Sequence, residues 1–515
     1  MLASMASPAA GVVVETVLAW RYGVSFVVDG FRVAYLLIAF GGALFFAQLM
    51  PNVIIPLFSE IRAKASDEEA WRFALWYGVV AGGALLLLSA WVWIAPGALF
   101  GFLGPGLSGA AQREGQLMLR YFIFSFSLMV WSGVMNGVLN AYQVFAVLPT
   151  AQFAANLVLA AAIAFWPPAG ALPLIIGVAG GALVTVAAHV TALFSLANRL
   201  GISLPALLLP FPRERLMRAA WLSGPLVAML AIQYYAVALY NRALSMLPAG
   251  SIAEYGYAWK MLTMANFVPT ALATVVFSSL AAVAASPQGE IGRLFDRAVR
   301  MTLFLTIPPA GVLYIHRLDL VRLLLARGAM NAGDVQVIAR LLGILLLSAP
   351  ALAISGIVYK FLYAKQTTAI PAAINVAAAA VVFWLVPYAA RNWGAPGVAA
   401  ASSVCTWLTT LLACAGLAAS NRSTTIRPLA AYMGRLTLVT GAAVAPGLLL
   451  LSWFANWNSL AVRLFVLALS GISAAGLVWG VSRRLRIDEA DEVLAYALSR
   501  LPFLRRKVVF EPAGT

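Results

Sequence analysis

The chain has 515 residues, of which 63% are hydrophobic and 10% charged, and its mean hydropathy of +0.92 excludes a soluble globular fold. The formal charge of +16 does not mark a nucleic-acid binder, because the basic residues fall in short segments between apolar runs rather than on one face of a domain. Apolar runs of about 20 residues, each long enough to cross ~30 Å of hydrocarbon as a helix, recur from end to end. Lipid offers the backbone no partners, so these runs predict helices.

In chain order, the runs between charges or Pro/Gly clusters predict spans at Leu2 to Arg21, Asp29 to Phe58, Trp71 to Ala95, Leu117 to Tyr142, Pro149 to Trp166 and Leu172 to Ala197. A second group covers Ala219 to Leu247, Tyr257 to Ala285, Val299 to Ile315, Val337 to Tyr363, Ala369 to Pro387 and Gly397 to Ala419. Two more follow at Tyr432 to Phe454 and Leu460 to Val481. The first run carries Glu15 and Arg21 and lacks a basic leader, so it reads as a span and not as a cleavable signal. The tail places Ile487, Leu494, Leu498 and Leu501 on one stripe beside Arg483 and Arg484, as an interfacial helix would.

Lys and Arg alternate in density across these spans. Arg62, Lys64, Arg72, Arg199, Arg213, Arg215, Arg218, Arg293, Arg297, Arg300, Lys360, Lys365, Arg422, Arg427, Arg435 and the tail from Arg483 to Lys507 share one side. The other side holds chiefly Arg113, Arg317, Arg322, Arg327, Arg391 and Arg463. The richer side is expected to be cytoplasmic, and with it both termini.

An internal repeat organises the chain. Ser132-Gly133, the segment Ala141 to Pro149, Asn156, Phe165 and Trp166 recur about 220 residues later as Ser355-Gly356, Ala364 to Pro371, Asn375, Phe383 and Trp384. Arg120 and Arg340 enter the matching spans at the same offset. A period of six spans gives both halves the same orientation, a parallel repeat. The expected fold is therefore an all-α polytopic membrane protein of about 14 transmembrane helices, with two parallel six-helix lobes around a central cleft and two additional C-terminal helices. The corresponding boundaries are 1–200, 219–420 and 430–483, followed by a basic tail over 484–515.

Ionisable groups at membrane depth need a partner or a watery cavity. One cluster is Glu15, Arg21, Asp29 and Arg32, in which Asp29 and Arg32 stand three apart on one helical face and can pair. A second, at the matching place in the other half, is Arg242, Glu254 and Lys260. The bland alternative is that Arg21, Arg32 and Arg242 snorkel to headgroups from span ends. His189 stands alone and reads as a packed, hydrogen-bonded helix residue rather than a proton relay. Gly177 and Gly181 read as close helix packing, and Pro51, Pro56, Pro269, Pro308 and Pro309 as kinks. Cys405 and Cys414, nine apart on one helix, point to opposite faces and form neither a disulfide nor a metal cluster. Metal-ligand, phosphate-loop and nucleophile motifs do not occur, so neither an enzyme nor an ATP-driven pump is expected.

Three segments carry a family resemblance: Glu15 to Gly23 with Asp29 to Tyr35 and Ile55-Pro56-Leu57; Gly250 to Ala253 leading to Tyr257-Ala258-Trp259-Lys260; and Ala326 to Ala329. In these the chain resembles the MurJ (MviN) lipid II flippases of the multidrug/oligosaccharidyl-lipid/polysaccharide exporter superfamily. The resemblance implies export of an undecaprenyl-pyrophosphate-linked saccharide by alternating access, with no cofactor and with drive from the membrane potential or a monovalent cation. Exporting two phosphate charges gains roughly 4.6 kcal/mol per 100 mV. The implied partners are the anionic lipid-linked oligosaccharide, membrane lipids and envelope-biosynthesis enzymes, with the chain a monomer. By this alignment the family's functional arginines fall on Val14, Gly42 and Ala43, and a serine on Ala253, while Asp29 and a basic group at Lys260 carry over. With the remaining members of the two charge clusters added to the carried-over Asp29 and Lys260, the expected binding set is Lys260, Asp29, Arg32, Arg21, Arg242, Glu15 and Glu254. The missing arginines keep an exopolysaccharide or O-antigen carrier open as an alternative, and behind it a drug/cation antiporter or an inactive envelope scaffold.

Overall fold

A computed structural model describes residues 2–167, 170–202, 211–266, 288–364, 369–420, 427–453, 459–484 and 489. They are almost entirely helical. In chain order the helices are α1 (Leu2–Tyr22), α2 (Phe26–Gly42), a π-helical stretch Ala43–Ile54, α3 (Ile55–Lys64), α4 (Asp67–Ile94), α5 (Pro96–Leu103), α6 (Gly109–Ala141), α7 (Val147–Phe165), α8 (Ala171–Leu200), α9 (Arg213–Ser245) and α10 (Ser251–Ala265). They continue as α11 (Gln288–Ile315), α12 (Arg317–Leu325), α13 (Ala332–Leu346), α14 (Ala349–Ala364), α15 (Ala369–Ser420), α16 (Arg427–Trp453) and α17 (Leu460–Arg484).

Ten helical segments among the described residues are long and apolar enough to cross a bilayer, or eleven with the bent pair α13–α14. Several departures from the expected spans have local causes. The second span runs 39 residues, Phe26–Lys64, because the π-helical stretch carries it past Pro51, a residue with no N–H to donate and a ring that crowds the preceding turn. The spans expected at Ala369 to Pro387 and Gly397 to Ala419 join into α15, broken at Gly394 (φ 62, ψ −149). Pro308 and Pro309 lie inside α11. Most of the expected span Tyr257 to Ala285, with Pro269, and the proposed tail helix lie outside the described residues. The short helices α5 and α12 have no counterpart in the apolar-run reading.

The chain forms two compact units. The first comprises Met1–Tyr257, Leu324–Ile338 and Asn375–Ala401. α6 runs through its middle and packs against α2, α4 and α8, with Met118, Leu119, Phe122 and Ile123 fully buried. Phe122 meets Phe31 of α2 edge-on at 6.1 Å, an arrangement favoured by the ring quadrupoles. Ser89 and Ser127 hydroxyls, 2.6 Å apart, tie α4 to α6. α4 begins on a capping sequence: Ser66 Oγ accepts from the Glu69 amide at 3.2 Å, and Asp67, Glu68 and Glu69 occupy the positive end of the helix.

The second unit comprises Ala258–Leu323, Ala339–Ile374 and Ser402–Thr515. Its core joins Val299 and Leu303 of α11, Val358 and Leu362 of α14, Ala413 and Leu417 of α15 and Leu436 of α16. α13 and α14 meet at a bend of 46°. Along one face of α15, Ser403 Oγ donates to Ile344 O at 3.0 Å, Trp407 Nε1 to Leu347 O at 3.0 Å and Thr410 Oγ1 to Ala351 O at 3.0 Å. The break thus places carbonyls of successive turns against a row of donors spaced at helical intervals. Its repeat counterpart in the first unit, α6, is unbroken over 33 residues.

Candidate functional site

The first unit brings parts of the three family-like segments, from α1, α2, the start of α10 and the Gly328 turn, to one junction. Asp29 sits in the first turn of α2 and is 1% exposed. Its Oδ2 accepts from the Gly250 amide at 2.6 Å, and its Oδ1 from the Ala253 amide at 2.8 Å. These N–H groups belong to the opening turn of α10, where four amides lack intrahelical partners and the dipole favours an anion. A carboxylate from one helix therefore caps another.

Arg32, one turn further along α2, does not pair with Asp29 as the three-residue spacing suggested. Its Nη1 donates to Glu15 Oε1 at 3.0 Å and its Nη2 to Glu15 Oε2, the two-pronged geometry that makes Arg–carboxylate pairs strong. Asp29 is already committed to amides, and Glu15 on α1 presents both oxygens to the guanidinium fork. The guanidinium also lies 5.1 Å from the Tyr257 ring centre, and Tyr257 OH donates to Gly23 O at 3.1 Å. Glu254 is half-buried, with Asp334 and Asp29 as acidic neighbours.

Backbone contacts close the same junction. The Ala329 amide donates to Trp20 O at 2.8 Å. Gly23 (φ 55) and Gly328 (φ 62) both adopt left-handed backbone, and a Cβ would lie 2.4 Å from Ala329 O at the first and 2.0 Å from Trp20 O at the second. Only a residue without a side chain fits either position.

Two of the remaining basic candidates occupy helix ends. Arg21 donates to Ala164 O at 3.2 Å and to Trp166 O at 2.7 Å, at the carbonyl end of α7, where a cation suits the dipole. Arg242 donates to Phe102 O and stacks over the Phe102 ring at 5.2 Å, at the end of α5. Lys260 lies in the third turn of α10 and is half-buried. His189 is fully buried, with Nδ1 2.7 Å from Thr185 O, the expected packed helix residue. Cys405 and Cys414 are buried free thiols.

A second charged junction in the same unit links α9 to the α3–α4 hairpin. Arg218 bonds Glu60 at 3.0 Å, Lys64 bonds the same carboxylate at 2.9 Å, and Arg215 pairs with Glu69. In the turn after α6, Tyr142 donates to Asp67 Oδ1 at 2.6 Å beneath the Arg62 guanidinium, 4.2 Å from the ring centre. Burial, reinforced by the hydrogen bond to Asp67, pushes the Tyr142 phenol up to about 12. In the sequence these arginines mark only topology; the acidic residues Glu60, Asp67 and Glu69 beside them are the signal that they pair.

This all-helical architecture, with ten or eleven segments long and apolar enough to cross a bilayer among the described residues, is that of a polytopic membrane protein. A solved structure titled "Lipid II flippase MurJ, inward closed conformation" superposes with a TM-score of 0.77 at 16% identity, covering 94% of this chain and 98% of that one. An inward-facing multidrug resistance MATE family transporter of the MOP superfamily gives a TM-score of 0.64 at 12% identity, covering 80% and 96%. Among curated relatives, a probable lipid II flippase MurJ of Rhizobium meliloti (strain 1021) is 27% identical over 92% of this chain and 90% of its own length. One of Rhizobium tropici is 26% identical over 79% and 77%. The family profile described as "Lipid II flippase MurJ" matches residues 18–469. The chain belongs to the lipid II flippase MurJ family.

Proposed function

We propose that this protein translocates an undecaprenyl-pyrophosphate-linked saccharide of the lipid II type from the cytoplasmic to the outer leaflet of the bacterial inner membrane. The carrying observation is family membership over residues 18–469, which selects the peptidoglycan precursor over an exopolysaccharide cargo. In this reading both termini are cytoplasmic, and the junction of Asp29 with α10 lies at the outer side, where it holds the path shut while the cytoplasmic side loads. Lys260 is the basic group that receives the diphosphate, as a point charge with three donors. Arg32 is held at the junction by Glu15, with Glu254 beside it, while Arg21 and Arg242 fix the helix ends that frame the path. The protein works as a monomer without a cofactor, driven by the membrane potential or a monovalent cation, and receives its cargo from envelope-biosynthesis enzymes.

The deciding experiment reconstitutes the purified chain in liposomes with a lipid II-type substrate and follows its arrival in the opposite leaflet, with and without an imposed potential. Protein-dependent movement is expected. Absence of movement under either polarity, with correctly inserted protein, overturns the assignment.

A further inference from the structure

The first unit holds a half-open pocket of about 260 Å³ among α2, α6, α7 and α8, and the start of the π-helical stretch. Its polar lining comes from Tyr35, Ser125, Ser132, Gln152, Asn156 and Thr185. No carboxylate, ammonium, guanidinium or imidazole is among the lining groups. Ser132 is 1% exposed, and its hydroxyl has no hydrogen-bond partner. Thr185 gives its proton to Gly181 O at 2.8 Å and retains lone pairs to accept with. Where α7 and α8 meet the void the lining is small: Ala155, Gly177, Gly181 and Ala182.

These features define the occupant's chemistry. A buried hydroxyl without a partner is unfavourable inside a membrane protein, and the Ser132 hydroxyl on the pocket wall is one. A neutral partner suits the lining, since no lining group offers a countercharge to a phosphate or a bare cation. It must both donate and accept, as amide and hydroxyl groups do. The volume equals about nine waters at ~30 Å³ each, and lies just below the ~300 Å³ at which drug-sized pockets begin, so it suits one ring-sized group. Tyr35 and Phe46 supply aromatic surface on the same wall system. Tyr35 also stands one helical turn beyond Arg32, which puts the cavity beside the charged junction.

We infer that this cavity is a saccharide subsite, taking one neutral hydroxylated ring of the lipid-linked cargo. The assignment rests on the proposed flippase function and adds a place for the sugar, separate from the group that receives the diphosphate. Ser132 and Asn156, both members of the internal repeat, are the central hydrogen-bonding residues, and Gln152, which is exposed, stands at the mouth.

The test is a binding comparison on the full chain in nanodiscs with two probes, undecaprenyl pyrophosphate and the same lipid bearing an N-acetylhexosamine disaccharide. The wild type is expected to bind the disaccharide lipid about tenfold tighter. Ser132→Leu fills the cavity and should bring the ratio to about one, while leaving affinity for the bare pyrophosphate lipid unchanged. Gln152→Ala, at an exposed position that does not threaten folding, should lower the ratio several-fold without filling anything. A wild-type ratio of one, or an undiminished ratio in Gln152→Ala and in folded Ser132→Leu, means a water-filled void only and overturns the subsite. If the wild type binds neither lipid, the flippase assignment itself fails, and the subsite with it.

Discussion

Asp29 Oδ1 lies 2.8 Å from the amide nitrogen of Ala253, 224 residues further along the chain. With Oδ2 on Gly250, one buried carboxylate terminates a helix to which it has no sequence proximity. Asp29→Ala leaves both amides without a partner and is expected to destabilise the protein by about 1–3 kcal/mol. Asn offers a single acceptor oxygen and should fall between Ala and wild type. Thermal unfolding of the detergent-solubilised protein measures the order; equal melting of all three would mean that the cap contributes nothing.

Glu15 and Arg32 form a pair with side chains only 11% and 16% exposed. Removing one partner strands the other charge, so Glu15→Gln and Arg32→Gln should each destabilise by about 3–5 kcal/mol. The double variant should recover part of the loss, because the stranded charge is gone. A thermodynamic cycle over the four proteins reads the coupling, and strict additivity would contradict the pairing.

For Lys260, transport of the lipid-linked substrate separates a diphosphate contact from a snorkelling side chain. Lys260→Ala should abolish transport with insertion intact, Lys260→Arg should keep much of it, and Lys260→Glu should be worse than Ala because it sets like charge against phosphate. Flippase assays in proteoliposomes provide the readout. Equal rates for wild type, Ala and Glu would remove Lys260 from the path.

Gly328 and Gly201 offer a matched comparison, since both have φ above 60°. A Cβ at Gly201, the end of α8, meets nothing within 4 Å, so Gly201→Ala should lose only about 1–2 kcal/mol for the left-handed backbone. At Gly328 the same substitution drives a methyl into Trp20 O and should abolish stable insertion. Yield and melting temperature of the two variants distinguish the cases, and similar behaviour would show that the Trp20 junction yields freely.

Much of this architecture was legible because lipid imposes it: long apolar runs have to be helices, and their charged ends mark turns. The sequence also marked Glu15, Asp29 and Arg32 as one charge cluster. It misjudged how. Asp29 and Arg32, three apart, suggested a pair, yet Asp29 binds backbone amides, which every residue but proline offers and no sequence pattern announces. Arg32 instead reaches Glu15, 17 residues away on another helix, a choice that depends on how α1 packs. Ser403, Trp407 and Thr410 show helical spacing in the sequence, but their acceptors are again main-chain carbonyls. Ser132 and Asn156 were visible as repeat members, while the void between them is a property of packing.

The bend between α13 and α14 has a mechanical consequence. Three donors on α15 engage Ile344, Leu347 and Ala351, and these carbonyls recur at helical rather than arbitrary intervals. A small slide or unbending would take Ser403 and Trp407 off their carbonyls together, while Thr410 keeps its bond to Thr406 O at 2.8 Å. The bend is therefore tied to α15 by side-chain donors, so α15 must follow any change in the angle between α13 and α14.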